Sequence, residues 1–529
     1  MTSLDFSDSN PEAGVSRAYF TPWRVAWLLA AVTGALIFTW PLGTAGDYMN
    51  HLARNYIEAR VWFDPALQKN YMVSFAVIPD LAMDMVVPWL SYFTGIYAAG
   101  AVMAWMAFVL PPLAGLMVAQ TLHGRVSWAA LLGFLAMFNQ NMQWGFVNCA
   151  VASGLALVGF AFWIQNPPTW RRTLVFAPFG VVLVFGHALG FLLFGYLVLL
   201  WEVASYASGK RGSASAFLRQ VVTKDAAAML PGLLVIALAS GGGEQLPQIG
   251  VLEFALGQKI ASFWAAGAFF NPSLSKLVTL ALACLFLCGL RAGFLRMEPR
   301  MAWVCLGLLV LIIAMPTTIL GIWGLQFRYQ PALVILAAAS IRISPGHERL
   351  ARQAAVAATG LLAAVYVNGA LQLSRIDAVA RSSRDVLAHV PEGARILPAR
   401  AEGSDPLLTF HAASVAVIDR SAYVPNLFTN TSPVGVRPEM LAQHMPQAQP
   451  LFEEKLAASA QNELPPASNG YWSHAYHYGW PDHWDYVVFF RSAPEQRLSL
   501  PSLCLEAEAP SAMLYRISRT GCGPTQATD

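Results

Sequence analysis

Asp47 and His51 stand in the stretch Gly46-Asp47-Tyr48-Met49-Asn50-His51-Leu52-Ala53-Arg54, directly after an apolar run from about Trp23 to Leu42. A carboxylate at a water-facing membrane edge can take the proton of an attacking hydroxyl. His51, four residues on, shares its face if the stretch is helical, and Arg54 follows one turn later. Ionisable groups beside the exit of a membrane helix are costly unless they are used. The plainer alternative is that Asp47 caps a helix. A cap needs neither a His nor an Arg beside it, so the expectation is Asp47 as general base with His51 as its catalytic neighbour.

Further candidates lie at other helix ends. Asp80 and Asp84 are one turn apart and, with Asp47, could offer oxygen ligands to a divalent cation such as Mg2+ or Mn2+; acids in a first helical turn also simply compensate its dipole. Gln140, Asn141, Gln143 and Asn148 flank Trp144 and are substrate-binding candidates, or else a polar turn with an aromatic anchor. His187, between two apolar runs, is a further substrate-binding candidate, as are Asp80 and Tyr329; a lone His is otherwise more often structural. Arg328, beside Tyr329 and ahead of Pro331, can grip a phosphate bidentately; snorkelling is its bland alternative. Lys259 and Arg54 are weaker phosphate ligands. The segment 471–484 is rich in His and aromatics without zinc spacing, and Asn430-Thr431-Ser432 is a sequon. No phosphate loop, dinucleotide fingerprint or nucleophile elbow has a supporting context.

These residues must be held by membrane helices. The 529 residues are 56% hydrophobic and only 12% charged, with mean hydropathy +0.49, whereas soluble domains are about a quarter charged. A net charge of +3 without a basic, aromatic-interleaved stretch gives no reason to expect nucleic acid. Apolar segments predict helices near 23–42, 97–122, 126–140, 144–164, 172–188, 189–206, 224–240, 274–290, 301–316, 328–343 and 354–372. Basic residues gather at Arg24, 123–125, 171–172, 210–224, 291–300 and 342–352, and are sparse in 43–96, 141–143, 241–273 and 317–327. With about eleven crossings the two sets alternate, which puts residues 1–22 in the cytoplasm and the C-terminal residues outside. The polar start lacks the features of a cleaved signal, so 23–42 reads as a retained anchor. Outer connections 43–96 and 241–273 hold amphipathic runs at 56–63, 81–97 and 251–270 suited to the interface.

Beyond 372 the composition changes to strand-like runs, including Ala413–Ile418 and Asp485–Phe490, broken by Pro, Gly and Ser. Residues 373–529 are expected to form a small α/β domain on the outer face. Cys149, Cys284, Cys288 and Cys305 lie in apolar runs, whereas Cys504 and Cys522 can pair in an oxidising compartment.

A carboxylate just past the first membrane helix, interfacial helices in the loop that follows, many further helices and an outer C-terminal domain together resemble the GT-C superfamily of membrane glycosyltransferases. The bacterial protein O-mannosyltransferase and aminoarabinose transferase-like proteins look nearest. The resemblance spans the plan of the whole chain and rests on Asp47 with His51 and Arg54, and on Arg328-Tyr329-x-Pro331. It implies a mainly α polytopic protein of a bacterial inner membrane with a polyprenyl-phosphate-linked sugar donor. The acceptor would be an extracytoplasmic glycan, lipid or protein, with Asp47 as base and Arg328 on the donor phosphate. Many relatives carry a second acid beside the first; here Tyr48 follows Asp47, which weakens the case for a metal. The rival expectation is a non-catalytic lipid or glycolipid transporter, or an envelope-assembly scaffold.

Overall fold

Crossing a hydrocarbon layer of ~30 Å takes an apolar helix of about 20 residues. In the computed structural model, seven helices among the described residues have that length and composition. They are α1 (Pro22–Thr39), α4 (Ile96–His123), α5 (Val147–Gln165), α7 (Ala188–Ala207), α8 (Ala214–Ala239), α10 (Pro272–Arg291) and α13 (Glu348–Leu387). The remaining labels are α2 (Tyr48–Arg60), α3 (Ala82–Thr94), α6 (Trp170–Gly186), α9 (Leu256–Trp264), α11 (Pro299–Ala314), α12 (Gln330–Ser340) and α14 (Val415–Arg420). The structure describes residues 21–74, 77–209, 213–239, 253–265, 267–319, 322–429, 432–444, 450–460 and 479–522. Residues 1–20, residues 471–478 of the aromatic segment and the first two residues of the sequon fall outside that set.

Side chains that accept the first free backbone N–H groups start several helices. Thr21 does so for α1, Thr169 for α6 and Asn271 for α10. Glu298 does the same for α11, followed by Pro299 at the first helical position. Where α6, α7 and α8 approach one another, Arg172 is buried against Glu202 at 3.1 Å and Asp225 at 2.6 Å and stacks on Trp163. A buried guanidinium is tolerable only with such partners.

Two expected helices take other forms. The segment expected as a helix over 126–140 is a 3-10 element, Trp128–Ala136. The segment 328–343 is the short turn Leu325–Arg328 followed by the 11-residue α12. Neither is long enough to cross a bilayer. They pack on each other and on α4, and non-standard backbone at membrane depth is tolerable when protein covers it. The expected interfacial segments are α2, α3 and α9. The exposed side of α3 carries Met85, Trp89 and Phe93, while Met83 and Val87 are buried, as suits a helix lying along an apolar boundary.

The C-terminal domain is built on a five-stranded mixed sheet. Its strands are β2 (Ile396–Arg400), β4 (Leu451–Phe452), β5 (Tyr486–Phe490), β6 (Leu503–Glu508) and β7 (Ala512–Ile517), in the order β6-β7-β5-β2-β4. β2 runs parallel to β5 and β4; β7 runs antiparallel to β5 and β6. Every residue of β5 is buried, which fits a central strand covered on both faces. Ala413–Ile418, expected as a strand, is instead a 3-10 turn leading into α14. Helix α13 runs unbroken through position 372 and lies against β7. Cys504 and Cys522 form a disulfide.

This domain is sewn to the membrane bundle. β1 (Tyr71–Val73), from the connection after α1, pairs with β3 (Val434–Val436). Tyr97 at the start of α4 donates 2.8 Å to Asp419 of α14, which also accepts 2.7 Å from Arg384 of α13.

Candidate active site

Asp47 occupies the cap position of α2, yet its side chain makes no capping hydrogen bond. Its backbone N–H donates 2.9 Å to the carbonyl of Trp144, and the Gly46 N–H donates 3.2 Å to Leu407 in the C-terminal domain. Three separate chain segments therefore meet at this residue. Gly46 and Gly145 both have positive φ where the first two segments cross. A Cβ on Gly145 would stand 2.3 Å from the Ala45 carbonyl oxygen, so only glycine lets the backbones approach this closely.

The second acid is Asp80, whose φ of 77° is in the left-handed region. A non-glycine residue there costs about 1–3 kcal/mol and persists only where its surroundings enforce it. Asn148 supplies that enforcement: its amide donates 2.9 Å to the Asp80 carbonyl and accepts 2.8 Å from the Met83 N–H. The Leu81 N–H is held at 2.7 Å by Phe185.

Burial raises both acids to about 7. For Asp47 the Arg328 guanidinium opposes burial and the Asp80 charge adds to it; for Asp80 Arg54 is the main opposing charge. Asp47 keeps 18% of its side chain exposed and Asp80 31%, so neither carboxylate is sealed from solvent.

A neutral imidazole faces each acid. His187 Nδ1 accepts 3.1 Å from the Leu189 N–H, which leaves the ring proton on Nε2, 3.8 Å from the Asp80 carboxylate. His411 Nε2 lies 3.7 Å from the Asp47 carboxylate. Burial holds both rings well below the usual imidazole range.

Arg328 stands over the ring of Phe146 at 3.9 Å and donates 3.1 Å to the Trp323 carbonyl. One Nη lies 3.4 Å from His187 Nε2. Because that nitrogen carries its own proton, this is a contact between donors. Its Nε has no hydrogen-bond partner among the described residues. A guanidinium braced by an aromatic face with an unpaired N–H is well placed for an anion.

Other candidates do not converge here. Arg54 is fully buried and paired with Asp84 at 2.6 Å. Glu58, pushed up by burial and then by the Asp84 charge, keeps its proton beside that pair. This network fixes α2 on α3; Arg54 Nε and one Nη have no hydrogen-bond partner among the described residues, but the side chain is fully buried and so closed to a phosphate. Lys259 is directed away, donating 2.6 Å to the Ile313 carbonyl. His51 is buried against Phe428 and held down to about 3 by burial and the Arg54 charge, and it makes no contact with the Asp47 carboxylate. Asn141 donates to the Arg328 carbonyl at 3.1 Å, Gln143 accepts from Phe270 N–H at 3.3 Å, and Tyr329 donates to Leu189 at 3.0 Å. These three shape the site through backbone. Gln140 keeps a buried carbonyl oxygen with no hydrogen-bond partner among the described residues. Among those residues no group of three or more His, Cys, Asp or Glu is arranged to hold a metal ion. His411 is absent from the sequence reading because nothing in the local pattern around it signals Asn50, 361 positions away.

The same architecture occurs in solved structures. ArnT from Cupriavidus metallidurans, solved bound to undecaprenyl phosphate and in the apo state, superimposes with a TM-score of 0.50 at 14% identity. The match covers 95% of this chain and 99% of that one. The chain has the GT-C fold. No protein-family model and no curated protein matches the sequence.

Proposed function

We propose that the chain is a membrane glycosyltransferase that takes its sugar from a polyprenyl-phosphate carrier. The observation that carries this reading is Asp47: a raised carboxylate at a helix start that caps nothing, stays partly exposed and feels the Arg328 charge. An acid titrating near 7 is well matched to general-base work at neutral pH. Asp47 takes the proton from an acceptor hydroxyl as its oxygen bonds to the anomeric carbon. The bond from that carbon to the lipid phosphate breaks, and Arg328 steadies the departing charge. A single displacement inverts the anomeric centre. The likeness in fold to a protein solved with undecaprenyl phosphate supports the choice of donor class. The cluster is read as lying on the extracytoplasmic side of a bacterial inner membrane, with residues 373–529 as the outer domain and the acceptor a glycan, lipid or protein.

The test is turnover of polyprenyl-phosphate sugars by the purified, reconstituted protein and by Asp47→Asn. Release of lipid phosphate by wild type and its loss in Asp47→Asn, at a thermal stability no lower than wild type, is the expected result. Equal release by both removes Asp47 from the mechanism and points to Asp80. No release from any donor favours a transporter or scaffold.

A further inference from the structure

The proton on His411 can be located. Asn50 accepts 2.9 Å from the Phe428 N–H through its carbonyl oxygen, which fixes the orientation of its amide. The amide nitrogen then donates 2.9 Å to the Asn426 carbonyl and 2.9 Å to His411 Nδ1. His411 Nδ1 is therefore an acceptor, and the neutral ring carries its hydrogen on Nε2. The ring is wedged between Phe410 at 4.2 Å and Phe428 at 4.8 Å, with its side chain 0% exposed. Its Nε2 has no hydrogen-bond partner among the described residues and faces the Asp47 carboxylate at 3.7 Å. That separation exceeds a hydrogen bond, but in a buried, low-dielectric site an N–H dipole aimed at an ionised carboxylate from this distance still favours its charge without substrate.

We propose that His411, carried by the C-terminal domain, is a positioning residue for Asp47: its Nε2–H donates to the carboxylate and aims it at the incoming hydroxyl. The inference rests on the base role given to Asp47 above. His411 keeps its proton throughout, and the hydroxyl proton goes to Asp47. The other charged groups that face Asp47 are Arg328, Asp80 and Arg54; His51 is the titratable group that faces His411.

A donor to the ionised form favours ionisation, so its loss raises the acid. The experiment is an infrared titration of aspartate-labelled, full-length reconstituted protein, with the Asp47 band assigned by its absence in Asp47→Asn. His411→Phe is expected to move the Asp47 titration upward by about one unit and to shift the acid limb of kcat/KM with it. His411→Gln, which retains an N–H at similar reach, is expected to stay near wild type. His411→Asn, polar but too short, is the second variant should the Phe protein fail to fold, and is expected to behave as a deletion. Titration of Asp47 at the wild-type pH in His411→Phe or His411→Asn overturns the proposal. The titration needs no substrate, so a wild type without turnover sinks the transferase reading while the infrared shift still decides His411.

Discussion

Burial and the Arg328 guanidinium act on Asp47 in opposite directions, and burial prevails. Activity that needs the ionised base should rise with pH and level off above about 7 in a kcat/KM profile. The same shift makes ionised Asp47 a liability to the fold: a carboxyl raised in the native state loses stability as pH climbs from its unfolded value toward its folded one. Asp47→Asn should therefore raise Tm by an amount that grows between about pH 4 and 7 and is flat beyond. The two arginines separate by the same reasoning. Arg54→Ala strands the buried Asp84 and should destabilise by about 3–5 kcal/mol in denaturant titrations, whereas Arg328→Ala should leave Tm close to wild type and cut turnover at least tenfold. The sequence exposed the ionisable cluster because charge beside an apolar helix is conspicuous. It could not tell which arginine is paired with a buried acid, since Asp84, 30 positions away, meets Arg54 only after folding.

The crossing of the Gly46 and Gly145 segments is the element-level feature on which the site depends. Gly145→Ala introduces a Cβ 2.3 Å from a carbonyl oxygen at a φ of 74°. It should lower Tm and abolish turnover together, while Ala substitution at Gly209, whose Cβ meets nothing within 4 Å, should retain turnover. Helix positions were legible wherever a long apolar run left no alternative, as in α4 and α5. They were misread where length had to discriminate. The run 126–140 carries an apolar pattern that 3-10 and α backbones satisfy equally, and packing on α12 selects the tighter turn. Ala413–Ile418 is a short apolar run of the kind that periodicity cannot assign; its docking against α2 makes it helical.

At the scale of the molecule, the C-terminal domain is held to the bundle by β1–β3 pairing, the Asp419 contacts and α13. The Cys504–Cys522 bridge closes a stretch of 18 residues across β6 and β7, and its removal should lower the stability of the domain by about 3 kcal/mol, read as hydrogen exchange of β6 and β7 with and without reductant. Helix α13 has 40 residues, about 60 Å at 1.5 Å per residue, twice the ~30 Å of hydrocarbon it must cross. Its free half lies against the sheet domain, whose segment before α14 carries His411. The helix is thus a ruler: the height at which the imidazole meets Asp47 is set by a rigid rod anchored in the lipid, and a change in its tilt reaches the reaction centre as a displacement.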